Sequence, residues 1–418
     1  MGEAIPLITK IFRNLAYSII LICAFCIRSY AADEDFKSWL DTFKEEAISK
    51  GITQKTLDSA LSDVQVLPQV IKLDRSQPEF IQTFTKYYQI RVNEQQIAKA
   101  QSLLNDNLEM FIKLEDNYGI PKSILLGFWS LETNFGSAKG DIPTISALVT
   151  LAYDGRRRDF FRQQLFETLE LIQDSGIPLN ELKGSWAGAV GQMQFMPTTL
   201  KSYGIDADGD GMIDVWRSIP DAMNSAANYL KSIGWHKDEA VVIQVQLPDN
   251  FDWEMAQLSV RKPVSEWFDL GVRPIEGRAF PDPSKKASVI LPQGWRGPAF
   301  MIFDNFDVIM RWNHSLNYAL SIALFADRLD GNKSLNLIYN EDSQALTFSQ
   351  MMTLQQNLIN NGFYSGDPDG IPGNKTQMAI REYQKAHNLP ADGYPSPGLL
   401  KIMDSEVDGQ NAQSSVTQ

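Results

Sequence analysis

Two places in the chain combine residue types at a spacing that can do chemistry. The first is 121–136, P-K-S-I-L-L-G-F-W-S-L-E-T-N-F-G. Ile124, Leu125, Phe128 and Glu132 recur at helical steps, so a carboxyl group closes an apolar stripe one turn before the helix stops. Desolvation by that stripe and the negative end of the helix dipole both disfavour the charged form and are expected to raise its pKa. A carboxylic acid that keeps its proton near neutral pH can serve as a general acid. The plain alternative is a boundary glutamate without a chemical role. The second place is D-A-D-G-D-G-M-I-D, 206–214. Asp206, Asp208 and Asp210 stand at positions 1, 3 and 5 of a calcium-loop pattern, Gly211 at 6, the Met212 carbonyl at 7 and Asp214 at 9. Arg217 occupies position 12, where a bidentate Glu is usual, and a slightly longer loop brings Asp221 round instead. Alternating oxygens around a Gly turn suit a hard cation, so Ca2+ in a structural role is expected; a metal-free Asx/Gly turn is the alternative.

These residues need elements to hold them. Pro121 suits a helix start, and Asn134 and Gly136 suit its end. Upstream, residues 33–118 carry apolar residues at three- and four-residue steps and read as helical. V-V-I-Q-V-Q-L-P (241–248), A-S-V-I-L-P (287–292) and P-A-F-M-I-F-D (298–304) are short β-prone runs bounded by Pro, Gly and Asp. They predict a small β-rich subdomain over about 241–304. Helical periodicity returns over 317–329, a polar linker follows at 331–347, then a compact unit at 345–405 and a polar tail at 406–418 expected to be disordered. The fold class is mainly α with a small β component, α+β.

Size and composition narrow the function. The 418 residues suffice for two or three domains, and 44% hydrophobic content with 9 Trp and 22 Phe is ample for cores. A net charge of −13 argues against nucleic acid as a partner. In residues 1–31, Lys10 and Arg13 precede an apolar run from Leu15 to Ile27, followed by Ser29-Tyr30-Ala31. This is a secretory signal by its pattern, and membrane contact follows only if it stays uncleaved. Both cysteines, Cys23 and Cys26, lie inside it, so the mature chain relies on packing and a metal in place of disulfides.

S-L-E-T-N-F-G (130–136), G-S-W-A-G-A-V-G-Q-M-Q-F-M-P (184–197), D-A-D-G-D-G-M-I-D-V-W (206–216) and W-N-H-S-L-N-Y-A (312–319) appear in this order. On these blocks the chain resembles the type-B lytic murein transglycosylases, over about 35–330. The resemblance implies a lysozyme-like core elaborated by a helical domain and a small β domain, and a catalytic region over 32–335. It implies cleavage of the β-1,4 bond between N-acetylmuramic acid and N-acetylglucosamine of peptidoglycan, with 1,6-anhydro product and no water consumed. By the same resemblance Glu132 is the single acid/base and Ser185 orients it. Gln194 and Asn313 line the cleft, and Tyr318 is a stacking platform for a sugar. Trp312 departs from the family pattern, which has a tyrosine there. Read alone, Ser185 is a helix N-cap before Trp186, Gln194 a buried amide satisfying backbone, and Tyr318 core.

The chemistry is consistent with a lone acid. Ordinary glycosidases need two carboxyl groups at fixed separation. Asp141 and Asp154, the nearest in sequence, lie in turn-like segments. No G-x-S-x-G elbow surrounds Ser185, and His236, His314 and His387 are scattered. Residues 354–393 resemble a three-helix peptidoglycan-binding domain, with Leu354, Leu358, Phe363, Ile380 and Tyr383 as its core and two D-G turns, Asp369-Gly370 and Asp392-Gly393, as a faint duplication. The expected protein is a monomeric periplasmic or cell-envelope enzyme. A water-using muramidase and a catalytically inactive wall-binding scaffold are the rivals.

Overall fold

The computed structural model describes residues 35–76, 82–175, 177–332, 335 and 344–405. The expected leader, most of the linker and the polar tail lie outside them. Among the described residues no helix is long and apolar enough to cross a membrane. The chain divides into two compact units: one of residues up to Asp74 with Gly140–Ala189 and Met196–Lys201, the other of Arg75–Lys139, Val190–Phe195 and Ser202 onward.

The first unit is helical. A helix over 35–49 lays Trp39 and Phe43 against Phe166 and Tyr153 as a continuous run of aromatic contacts. Thr144–Asp154 and Arg158–Ser175 pack on each other. Asp74 is buried there and ion-paired to both Arg156 and Arg157, which compensates its desolvation. A two-stranded ladder pairs Ile142 with Gly184 and Pro143 with Lys183.

The second unit contains helices Phe84–Arg91, Glu94–Asp106, Leu108–Tyr118, Lys122–Thr133, Ile219–Ser232, Asp304–Trp312 and Leu316–Leu329. Lys122–Thr133 is buried on nearly every side, beyond the single stripe its spacing suggests, because it lies along Leu316–Leu329. Gly127 permits that approach: a Cβ there would lie 3.2 Å from the Ile322 carbonyl oxygen.

The expected β runs form an antiparallel sheet in the order Lys262–Pro263, Lys286–Ile290, Ala299–Ile302, Val242–Gln246, Arg273–Pro274. Val289 pairs with Met301, and Met301 with Ile243. Trp267, fully buried, donates its indole N–H to the Ala287 carbonyl.

The last three helices, Phe348–Asn360, Asn374–Ala386 and 397–405, close on Leu354, Leu358, Ile380 and Tyr383, with Phe363 packed against them. The faint duplication has a physical basis. Buried Gln355 donates to Asp369 and accepts the Asp369 and Gly370 N–H groups; buried Gln384 donates to Asp392 and accepts the Gly393 N–H. Each D-G turn is pinned by an amide from the helix before it, which satisfies polar groups that would otherwise be buried unpaired.

Candidate active site

Glu132 is the penultimate residue of the helix Lys122–Thr133. Pro121 stands at its N-cap, one position earlier than the sequence suggests, and Asn134 ends it in the left-handed conformation. Phe135 and Gly136 continue left-handed, with φ of 59° and 76° after 50° at Asn134. Left-handed residues with a Cβ are costly and persist only where surroundings dictate them. Here Lys99 donates to the Asn134 carbonyl, Gln96 donates to its side-chain oxygen, and the Thr133 hydroxyl donates to the Gln192 carbonyl. The turn fixes where the helix stops, and so where the carboxyl group points.

Donors from Trp312 and Tyr318 meet that group. The Trp312 indole N–H reaches Glu132 Oε1 at 2.9 Å and the Tyr318 hydroxyl reaches the same oxygen at 2.5 Å. Trp312 ends the helix Asp304–Trp312 and Tyr318 opens the helix Leu316–Leu329, so a short connection presents both. Trp312 is wedged among Phe128, Phe195 and Tyr229, with ring centroids 4.6, 5.4 and 5.3 Å away. Burial, then the neighbouring Glu132 charge, push the Tyr318 hydroxyl well above its ordinary pKa, so it remains a donor. Only 3% exposed, Tyr318 offers Glu132 its hydroxyl where the sequence suggested a ring face for a sugar.

Gln194 sits at φ 49°, and its amide nitrogen donates to the carbonyls of Lys139 and Gly191, both at 3.0 Å. Only its side-chain oxygen is left for an outside donor. Asn313 follows Trp312 and accepts the Ser315 N–H. Ser185 belongs to the first unit and lies in a turn, not at a helix start: its hydroxyl accepts the Ala189 N–H at 3.1 Å and its own N–H donates to the Ala189 carbonyl. The sequence reading missed the contacts of both Tyr318 and Trp312 with Glu132, and gave Trp312 no role. The one signal for it was its place beside Asn313 in a block already singled out.

The acidic loop groups Asp206, Asp208 and Asp210, with oxygens all within 4.8 Å of one another. Three crowded carboxylates of this kind fit a hard divalent cation. Asp214 pairs with Arg217 and accepts the Trp216 N–H. Asp221 is fully buried, and its two oxygens accept the N–H groups of Ala207 and Asp214. It closes the loop on the backbone and stands apart from the carboxylate cluster, as does Asp214.

Comparison with known proteins gives the family. Residues 35–327 match the transglycosylase SLT domain, and residues 349–403 match the putative peptidoglycan-binding domain. The membrane-bound lytic murein transglycosylase B of Escherichia coli K12 is 33% identical over 215 residues, 49% of this chain and 56% of that one. The chain thus matches little more than half the length of that curated relative. SltB3 of Pseudomonas aeruginosa, solved with NAG-NAM-pentapeptide and with NAG-anhNAM-pentapeptide, superposes with a TM-score of 0.84 at 39% identity, over 88% of this chain and 99% of that one. The E. coli lytic transglycosylase Slt35, solved with calcium, gives 0.62 at 26% identity over 70% and 92%. With the SLT model matched over most of its length, this chain belongs to the transglycosylase SLT family and carries a C-terminal peptidoglycan-binding domain.

Proposed function

We propose that the protein cleaves the β-1,4 MurNAc–GlcNAc bond of peptidoglycan and leaves 1,6-anhydroMurNAc ends, with Glu132 as its single acid/base. The observation that carries this is the Glu132 carboxyl, fixed at a helix end with Oε1 held by Trp312 and Tyr318. The SltB3 complex with a NAG-anhNAM-pentapeptide supports the product class. Glu132 protonates the glycosidic oxygen as the C1–O4 bond breaks. The muramic C6 hydroxyl then attacks C1, and its proton returns to the Glu132 carboxylate, so the acid is regenerated and no water is consumed. Proximity of the C6 hydroxyl to its own anomeric carbon makes the second step intramolecular.

Ser185, Gln194 and Asn313 are assigned to the substrate cleft on the resemblance. Residues 32–335 form the catalytic region, and 345–405 raise the local concentration of enzyme on the wall. The leader 1–31 exports the chain to the periplasm, where it works as a monomer. In the loop, Asp206, Asp208 and Asp210 hold Ca2+ with the Met212 carbonyl, while Asp214 and Asp221, apart from the cluster, brace the loop. The cation neutralises the crowded carboxylates and supplies no step of the reaction.

Digested sacculi analysed by mass spectrometry test this reading. Anhydro ends from the wild type, and none from Glu132→Gln, are expected, with sacculus binding retained by the variant. Reducing ends would instead mean a water-using muramidase, and equal release by both proteins would remove Glu132 from the chemistry.

A further inference from the structure

The geometry points to Trp312 as a positioning residue that holds the Glu132 carboxyl by one oxygen and stabilises its ionised form. The inference rests on the reading of Glu132 as the acid. An indole N–H can only donate, so the Glu132 oxygen that faces it at 2.9 Å must act as acceptor in both protonation states. The Tyr318 hydroxyl converges on the same atom. The indole is the fixed donor of the two, because the Tyr318 hydroxyl can turn and accept while the N–H cannot.

A tyrosine at position 312, as the family resemblance leads one to expect, would behave differently. Its hydroxyl rotates and can accept as well as donate, so it tolerates a proton on either carboxyl oxygen. The indole removes that freedom. Its orientation is set by packing among Phe128, Phe195 and Tyr229, which holds the N–H in place without help from solvent. Among the described residues, Tyr318 lies on the carboxyl, Tyr87 beside Tyr318, and Tyr229 against the Trp312 ring, with Tyr203 and Arg311 next to Tyr229. Burial keeps Tyr318 and Tyr229 protonated, so neither reverses the pattern at working pH.

Because the indole stabilises the ionised carboxylate, its removal has a direction. Without that donor Glu132 holds its proton more tightly, and the alkaline limb of kcat, where the acid is lost, moves to higher pH.

The test replaces Trp312 by phenylalanine, by tyrosine and by 3-benzothienylalanine, an isostere that keeps the fused ring and lacks the N–H. Release of muropeptides from sacculi is followed against pH, with the melting temperature of each protein. The benzothienyl variant is expected to melt as the wild type does, to keep KM, to lose roughly ten- to a hundredfold in kcat and to move the alkaline limb up by about one unit. Trp312→Phe is expected to show the same kinetic change, and Trp312→Tyr to recover most of kcat. A benzothienyl variant with wild-type kcat and pH profile overturns the proposal. So does a defect confined to KM, which would make the ring a sugar contact. If Trp312→Phe fails to fold, the benzothienyl protein alone decides. Reducing ends from the wild type would refute the lyase chemistry while leaving the effect of Trp312 on kcat and on the limb readable.

Discussion

Tyr318 shows how one burial changes a residue's chemical use. As an exposed ring it would be a platform for sugar; at 3% exposure with its hydroxyl on Glu132 it is a fixed donor. Its proton is held through the working range because burial and the adjacent carboxylate both oppose ionisation. Neither limb of a pH–rate profile below pH 10 should therefore belong to it. Tyr318→Phe deletes the hydroxyl and leaves the ring packed against Phe128, so stability should fall by only about 1–2 kcal/mol. The rate should fall by roughly ten- to a hundredfold, since the carboxyl group loses one of the donors that fix it. Thermal melts with muropeptide release check both halves. A wild-type rate would show that Glu132 is held without the Tyr318 hydroxyl.

At the scale of elements, the site depends on where one helix stops. Gly136 carries φ 76°, and a Cβ there would lie 2.7 Å from the Gln192 side-chain oxygen. Gly136→Ala should cost about 2 kcal/mol and displace the turn that aims Glu132, so activity should fall more steeply than the melting temperature explains. Circular-dichroism melts and release assays on the same preparation test it; unchanged values of both would show the turn yields freely. The loop 206–214 makes a second element-scale prediction. Asp206, Asp208 and Asp210 repel one another unless a cation sits among them. Chelation should lower the melting temperature by several degrees and Asp208→Asn should weaken that response, read by calorimetry with and without Ca2+. A melting temperature indifferent to chelator would mean the loop works as an Asx/Gly turn.

These elements also show what a sequence can reveal. The helix 122–133 was legible because its signals are local: a proline at the start, Asn134 at the end, and apolar steps between. The β runs were legible for the same reason, as short β-prone stretches bounded by Pro, Gly and Asp. Contacts of Glu132 with Trp312 and Tyr318 join residues 180 and 186 positions apart and leave no periodic trace. The left-handed run through Phe135 was equally silent, since an aromatic residue gives no turn signal. Ser185 looked like a helix cap because a serine before Trp-Ala suits one; its hydroxyl is used within a turn instead.

For the molecule as a whole, the wall-binding domain is built into the second unit and does not hang from it. Asp392, in its second D-G turn, accepts the Trp295 N–H at 2.8 Å from the β-rich part, and the Tyr394 N–H and Gln384 amide from its own. Lys385 pairs with Glu254, and Arg381 donates to the Ala256 carbonyl. A cavity of about 140 Å³ remains at this joint, lined by Trp295, Asp392 and Tyr394 among others. Burial raises the Asp392 pKa against the opposing pull of its donors. With the folded value above the unfolded one, the native state binds the extra proton, so this group's contribution is greatest at acid pH and is lost as pH rises through the folded pKa. Asp392→Ala removes that pH dependence and strands the Trp295 N–H and Gln384 amide, which should cost about 3 kcal/mol near neutral pH. The wild-type second unit should melt with its C-terminal domain in one calorimetric transition, and the variant should release that domain as a separate, earlier one. Coincident transitions in the variant at pH 7 would mean that Asp392 does not couple the two, and that the pairs made by Lys385 and Arg381 carry the joint.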